Sequence, residues 1–251
     1  MNDFAGIRVL VTGGGVGIGA EVALAFARAG ADVALTYRSH DGADVARRIV
    51  ELGRTGVAYE LDATDSGAVD RVVEAAANAL GGTIDVVVNN AGGLIGRVPI
   101  AEMSDEHWRT VLDVNLTSTF YVTRAALRFM PDGGRVVNMG SVAAQSGGSV
   151  GSAAYAAAKS ALEGLGRGLA KELGPRRITV NTVAPGFIAH TPFHDTFSSP
   201  EKQAATVAGT PLGRAGTTAD VAAAVLYLAS VGASFQTGTV VDVNGGTWFT
   251  G

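Results

Sequence analysis

Tyr155 and Lys159 stand four residues apart in an alanine-rich run, SAAYAAAKSALEG. Alanine is the strongest helix former, and this spacing places both side chains on one face of a helix, close enough to interact. A protonated amine beside a phenol favours the phenolate and lowers the phenol's pKa from about 10. A tyrosine tuned in this way can carry a proton to or from an alcohol or carbonyl oxygen near neutral pH. The same spacing also occurs in ordinary surface pairs, so its weight depends on what the rest of the chain brings to it.

Three further groups of residues bear on that chemistry. Ser141 stands just past the apolar run Arg135 to Met139, at the place where open α/β sheets bind ligands. Thr12-Gly13-Gly14-Gly15-Val16-Gly17-Ile18-Gly19 lies between a strand, Ile7 to Val11, and a helix, Ala20 to Ala29. Glycines there let the backbone turn tightly and approach a pyrophosphate, whose charge meets the free N–H groups of the helix N-terminus. The strand Asp85 to Val88 ends in Asn89-Asn90-Ala91-Gly92-Gly93, two amides that either bond neighbouring strands or line a cofactor cleft.

The second strand, Asp32 to Tyr37, ends where a fold of this kind reads the adenosine ribose. A carboxylate there would suit the 2′-hydroxyl of NAD, whereas an arginine accommodates the 2′-phosphate of NADP. Tyr37-Arg38-Ser39 occupies the position and no carboxylate follows until Asp41. Arg38 can pair with a phosphate and stack on adenine, which favours NADP(H) over NAD(H). Val16, inside the glycine loop, offers no second basic group.

The elements that must position these residues alternate. Helices are expected over Ala43 to Leu52, Asp65 to Leu80, from the Ser104 cap towards Met130, over Tyr155 to Leu173 and over Val221 to Ser230. The remaining strands are Gly56 to Leu61, Ile178 to Val183 and Thr239 to Val243, with a Gly- and Ser-rich loop from Ala143 to Ala153. Continuous apolar strands separated by helices predict an α/β fold, one doubly wound Rossmann-like domain over residues 1–251. Asn115 falls mid-helix, where Asn has poor propensity, and calls for a packing or a functional reason. His190 to Gln203 reads as a loop or short helices over the cleft.

Composition narrows the classes. Cys 0 excludes disulfides, thiolate metal sites and cysteine nucleophiles, and suits a reducing compartment. A net charge of -4 without blocks of like charge gives no support for nucleic-acid binding. No apolar run approaches the ~20 residues that span a bilayer, so the expectation is a cytoplasmic protein without a membrane segment. His190 and His194 share a helical spacing but no HExxH pattern, and no metal site is expected.

Taken together and in order, Thr12 to Gly19, Asp62, Asn89 to Gly92, Asn115, Ser141, Tyr155, Lys159 and Pro185-Gly186 are similar to the motifs of the classical short-chain dehydrogenases/reductases. The resemblance covers essentially the whole chain. It implies a seven-stranded parallel sheet, a nicotinamide cofactor and an Asn115–Ser141–Tyr155–Lys159 tetrad. By that resemblance Tyr155 is the acid or base at the substrate oxygen and Ser141 holds that oxygen. Lys159 lowers the Tyr155 pKa and bonds the nicotinamide ribose, and Asn115 holds a water of the proton relay. The cofactor would contact Thr12, Gly13, Gly15, Gly17, Ile18 and Gly19 along the first turn, and Arg38 and Ser39 after the second strand. Asp62 and Ala63 would meet the adenine, Asn89, Ala91 and Gly92 would lie along the cofactor, and Pro185, Gly186 and Ile188 would border the carboxamide.

The sequence departs from the family pattern at His190, where a threonine often bonds the carboxamide; Thr191 is one residue late. Within the family the pattern, including Asp242-Val243-Asn244-Gly245-Gly246, is most similar to 3-oxoacyl-acyl-carrier-protein reductases, and sugar, polyol and cyclic-alcohol dehydrogenases share the likeness. The substrate would be a small carbonyl or alcohol, with recognition in Leu94 to Arg97, Gln145 to Ser152 and His190 to Gln203. A carrier-protein partner would need a basic entrance such as Arg124, Arg128, Arg167 and Lys171. A homotetramer is the family expectation, which a monomer in sedimentation would contradict. A non-catalytic redox sensor is the competing class, and it has no use for a complete tetrad.

Overall fold

The computed structural model describes residues 4–191, 196 and 199–249. Seven parallel strands form one sheet in the order β3-β2-β1-β4-β5-β6-β7. They are β1 (Arg8–Val11), β2 (Asp32–Tyr37), β3 (Gly56–Glu60), β4 (Val86–Asn89), β5 (Arg135–Met139), β6 (Thr179–Pro185) and β7 (Val240–Val243). The order reverses at β1, whose neighbours are β2 and β4. A crevice opens beyond the carboxyl ends of strands at such a point.

Period-two alternation assigns each strand residue to a layer. Val9, Val11, Val33, Leu35, Val86 and Val88 face helices α1 (Gly17–Arg28), α2 (Ala43–Glu51) and α9 (Thr218–Ala229). Leu10, Ala34, Val87, Val136 and Val180 face α3 (Ser66–Ala79), α5 (Ser118–Ala126) and α7 (Ala153–Leu173). Both faces of the central strands are therefore dry, which explains why β1 and β4 are continuous apolar runs.

The helices differ from the sequence reading where chemistry is concentrated. The first begins at Gly17, not Ala20, so its N-terminal turn lies inside the glycine loop. Ser104 caps α4 (Asp105–Leu112) as expected, its hydroxyl accepting from the His107 N–H at 3.1 Å. The helix expected to run on towards Met130 is interrupted: residues Asp113–Thr117 form a π turn between α4 and α5. Such wide turns free a backbone carbonyl and re-aim a side chain, and Asn115 is the residue at its centre. The Gly- and Ser-rich loop contains a one-turn helix, α6 (Ala143–Ser146), before α7. Part of the His190 to Gln203 segment lies outside the described residues; α8 (Pro200–Ala208) forms its end. Among the described residues no helix is long and apolar enough to cross a membrane.

Candidate active site

The glycine loop after β1 is built for close approach. Gly13 and Gly17 take left-handed φ angles of 64° and 59°, which glycine adopts without steric cost. A Cβ at Gly15 would stand 2.1 Å from the His40 carbonyl oxygen, and one at Gly19 would stand 2.2 Å from the Gly13 carbonyl oxygen. No side chain caps the N-terminus of α1 and its first turn carries no acidic residue, which leaves its N–H groups to an anion. Because backbone cannot yield as a side chain can, Gly19→Ala is expected to cost about 1–3 kcal/mol. For a chain of this size that lowers Tm by roughly 2–10 °C. Thermal unfolding of the variant checks it, and an unchanged Tm would show that the loop can relax.

Hydrogen bonds tie this loop to β4. The Thr12 hydroxyl accepts from the N–H groups of Asn90 and Ala91, each at 3.0 Å. The Asn90 amide donates to the carbonyl oxygens of Thr12 and Gly13 at 2.9 and 3.0 Å. Asn89 points the other way, donating to Thr123 Oγ1 and Asn138 Oδ1 inside the core. The two alternatives for these amides thus both occur, one at each residue. Thr12 and Asn89 are buried braces of the cleft, and Asn90 stands at its wall.

A cavity of about 390 Å³ opens above the loop. Gly13, Gly15, Gly17, Ile18 and Gly19 form its floor, Arg38, Ser39 and His40 one rim, and Ala63, Ala91 and Gly92 the facing wall. Among the described residues no carboxylate lines it. Asp62 sits outside the wall, its carboxylate accepting from the Thr64 hydroxyl and N–H at 2.6 and 3.0 Å and pairing with Arg38 at 3.1 Å. The Thr64 hydroxyl first, its N–H next and Arg38 after them hold that carboxyl below the usual range. Asp62, expected to meet the adenine, thus stands beside Arg38, next to the part of the cavity wall formed by Ala63 and Thr64.

A second cavity, of about 380 Å³, shares Ile18, Asn90, Gly92 and Thr191 with the first. Ser141, Tyr155, Lys159, Pro185, Gly186 and Ile188 line it. Tyr155 and Lys159 lie one turn apart on α7, with the ammonium 5.6 Å from the phenol ring centre. The Ser141 hydroxyl is hydrogen-bonded to the Tyr155 phenol, and it also accepts from the Ala143 N–H at 3.1 Å. Lys159 donates to the Met139 carbonyl oxygen at 2.8 Å from a site 4% exposed.

Asn115 is fully buried behind the same wall. Its amide donates to the carbonyl oxygens of Gly93 and Val111 at 2.8 and 2.9 Å, and its oxygen accepts from the Gly93 N–H at 3.0 Å. A Cβ on Gly92 would meet that oxygen at 2.8 Å and the Lys159 Nζ at 3.3 Å. Both donor positions of Asn115 are therefore committed to the protein, and one lone pair of its oxygen remains.

The expected direction of the Tyr155 shift is corrected. Burial pushes the phenol up, and the Ser141 hydrogen bond opposes it. Burial likewise brings the Lys159 ammonium down to about 8. Each shift is the mark of desolvation, which disfavours the charged form of either group.

Residues 14–247 match the family model described as Enoyl-(Acyl carrier protein) reductase. The chain is 39% identical over 248 residues to the 3-oxoacyl-(acyl-carrier-protein) reductase FabG of Vibrio cholerae, covering 98% of this chain and 99% of that protein. The chain belongs to the short-chain dehydrogenase/reductase family. A family structure from Burkholderia cenocepacia, in complex with NADP, superposes with a TM-score of 0.91 at 36% identity, covering 98% of this chain and 99% of that one. A blue fluorescent protein from a metagenomic library, in complex with NADPH, superposes at 0.89 with 39% identity, covering 98% and 100%. As a short-chain dehydrogenase/reductase, the protein is an NAD(P)-dependent oxidoreductase acting on CH–OH or C=O groups.

Five residues of these walls, Asn90, His40, Thr191, Arg97 and Lys202, were reached from the sequence only as part of a wider segment or not at all. Asn90 could be found only as one of two equivalent amides. His40 enters the first cavity because Gly15 lets its backbone approach. His190 adopts a left-handed φ of 55°, and Thr191 follows it, buried, donating to the Ile188 carbonyl oxygen at 3.1 Å and lining both cavities. Arg97 and Lys202 line the second cavity; only the segments containing them were legible. His194 lies outside the described residues.

Proposed function

We propose that this protein is an NADP(H)-preferring ketoreductase that interconverts a ketone and a secondary alcohol, of the 3-oxoacyl type. The observation that carries this reading is the junction of the two cavities: Ser141, Tyr155 and Lys159 line one, the glycine loop floors the other, and four residues belong to both. The glycine cradle fits a dinucleotide pyrophosphate, since Gly15 and Gly19 let the loop fold tightly on its own backbone and the uncapped N-terminus of α1 lines the cavity. Arg38, Ser39 and His40 would take the adenosine end and Lys159 the nicotinamide ribose. Bound there, a nicotinamide supplies or accepts the hydride at the carbonyl carbon.

The chain's own residues would handle the oxygen. Ser141 and Tyr155 would both hydrogen-bond it, Ser141 fixing its position while Tyr155 gives up a proton in reduction or takes one in oxidation. The raised phenol pKa keeps Tyr155 protonated at neutral pH, the form that reduction requires. Lys159, charged below about 8, would stabilise the phenolate left after transfer. Asn115 would hold the Gly92-Gly93 backbone and, through its remaining lone pair, one end of a proton relay.

The NADP preference is supported by Arg38 at the rim of a cavity that no carboxylate lines among the described residues. Its pairing with Asp62 joins two exposed groups, 65% and 39% accessible, and such pairs contribute little, so the guanidinium can turn to a phosphate. Arg38→Ala is expected to weaken NADPH binding by about 10-fold or more, in line with the loss of one charge-assisted contact, and to leave NADH binding within about 2-fold. Fluorescence titration of both coenzymes measures this. Equal or tighter binding of NADH by the unaltered protein would instead favour a sugar, polyol or cyclic-alcohol dehydrogenase. Binding of neither coenzyme would return the protein to the non-catalytic class.

A further inference from the structure

The catalytic cavity carries a charge imbalance that the hydride chemistry does not use. Its wall contains Arg97, Lys159 and Lys202, and no aspartate or glutamate among the described residues. Lys159 belongs to the reaction; the other two do not. Among the described residues neither Arg97 nor Lys202 forms an ion pair. The Arg97 Nε is buried and has no hydrogen-bond partner. With no carboxylate at this wall among the described residues, the Arg97 charge is left to be met by what the cavity holds.

Both cations are held at one end of this cavity by the same loop, ahead of α7. The Val98 N–H donates to the Gly151 carbonyl oxygen at 2.9 Å. Gly151, at φ 80°, lies so close to Arg97 that a Cβ on it would stand 3.1 Å from the arginine Cβ. From the other side, Lys202 on α8 reaches Ser149 Oγ at 3.5 Å. The loop that leads to Tyr155 is thus flanked by a guanidinium from one segment and an ammonium from another.

We propose that the substrate carries an anionic oxygen group, carboxylate or phosphate, and that Arg97 and Lys202 bind it while its carbonyl or alcohol lies at Ser141 and Tyr155. This rests on the ketoreductase reading and specifies its substrate class. Arg97 supplies a planar fork suited to paired oxygens, and Lys202 a mobile point charge that closes over them. Two sources present such a group: a small keto or hydroxy acid, or the phosphodiester of a phosphopantetheine arm.

The test compares pairs of substrates that differ only in that charge, with NADPH: acetoacetate and laevulinate against their methyl esters, and acetoacetyl-phosphopantetheine against acetoacetyl-pantetheine. The anionic member of one pair is expected to have kcat/KM at least about 10-fold higher. Arg97→Met is expected to remove that preference while the neutral member changes less than about 2-fold, and Lys202→Gln, on an exposed helix, to reduce it several-fold. Preference within a keto-acid pair identifies a free acid; preference confined to the phosphopantetheine pair identifies a carrier arm. Equal use of charged and neutral members, or an equal loss on both in Arg97→Met with an unchanged Tm, would overturn the anion site and leave the ketoreductase reading standing. Turnover of no substrate with either coenzyme would overturn both.

Discussion

Tyr155→Phe is expected to lower kcat for ketone reduction by about 10²- to 10⁴-fold, the range for losing a positioned acid, while NADPH affinity changes by less than about 3-fold. The substitution removes one oxygen and keeps the ring that packs beside Lys159. The partner hydroxyl, Ser141, keeps its bond from the Ala143 N–H, so the cavity should hold its shape. Burial raises the Tyr155 pKa; the unaltered enzyme should therefore reduce ketones at a steady rate through neutral pH. Alcohol oxidation, which needs the phenolate, should climb as pH rises. Rates in both directions between pH 6 and 10, with coenzyme titrations of the variant, decide the matter. Retention of more than a tenth of the activity would mean that the proton reaches the oxygen from elsewhere.

Lys159→Met is expected to separate activity from stability. The ammonium is 4% exposed, and burial brings its pKa from 10.5 to about 8. Below about 8 both folded and unfolded chains hold the proton, and the folded state bears the whole burial penalty, about 3 kcal/mol from the shift. Between about 8 and 10.5 the unfolded chain binds a proton that the folded chain releases, so stability rises with pH across that window. Methionine removes the penalty but forfeits the bond to the Met139 carbonyl oxygen, about 1 kcal/mol. A net gain near 2 kcal/mol should raise Tm at pH 7 by roughly 4–8 °C, and the gain should shrink towards pH 10. Activity should fall by about 10²- to 10³-fold, as for loss of one preorganised electrostatic group. A variant both inactive and less stable would show that Lys159 is chiefly a structural donor. Residues tuned for function commonly reduce stability, and a buried lysine without a carboxylate partner is a direct case.

Much of the architecture was legible because its signals are local. Alternating strand and helix patterns predict the doubly wound sheet, and apolar runs at β1, β4 and β5 mark strands covered on both faces. The glycine loop could be read because only glycine permits its φ angles and its 2.1–2.2 Å approaches to backbone oxygens. The Tyr155–Lys159 pair was legible because helical spacing fixes it within one element.

What involved several elements was not legible. Asn89 and Asn90 are identical in type and adjacent; the pleat of β4 alone sends one into the core and the other to the glycine loop. Asn115 occupies a mid-helix position by sequence, and the π turn that accommodates it shows only in the backbone. The direction of the Tyr155 shift depended on how deeply α7 packs, since burial competes with the Ser141 hydrogen bond. Arg97 and Lys202 are about a hundred residues apart and meet at one loop only because the chain returns over the sheet. By itself the sequence determined most of the elements and the family, and pointed to the candidate tetrad, because steric and helical constraints act between near neighbours. Tertiary structure alone decided which amide braces and which lines, which way burial shifts the buried groups and which cations line the cavity, because desolvation and contact are set by what the fold brings alongside each group.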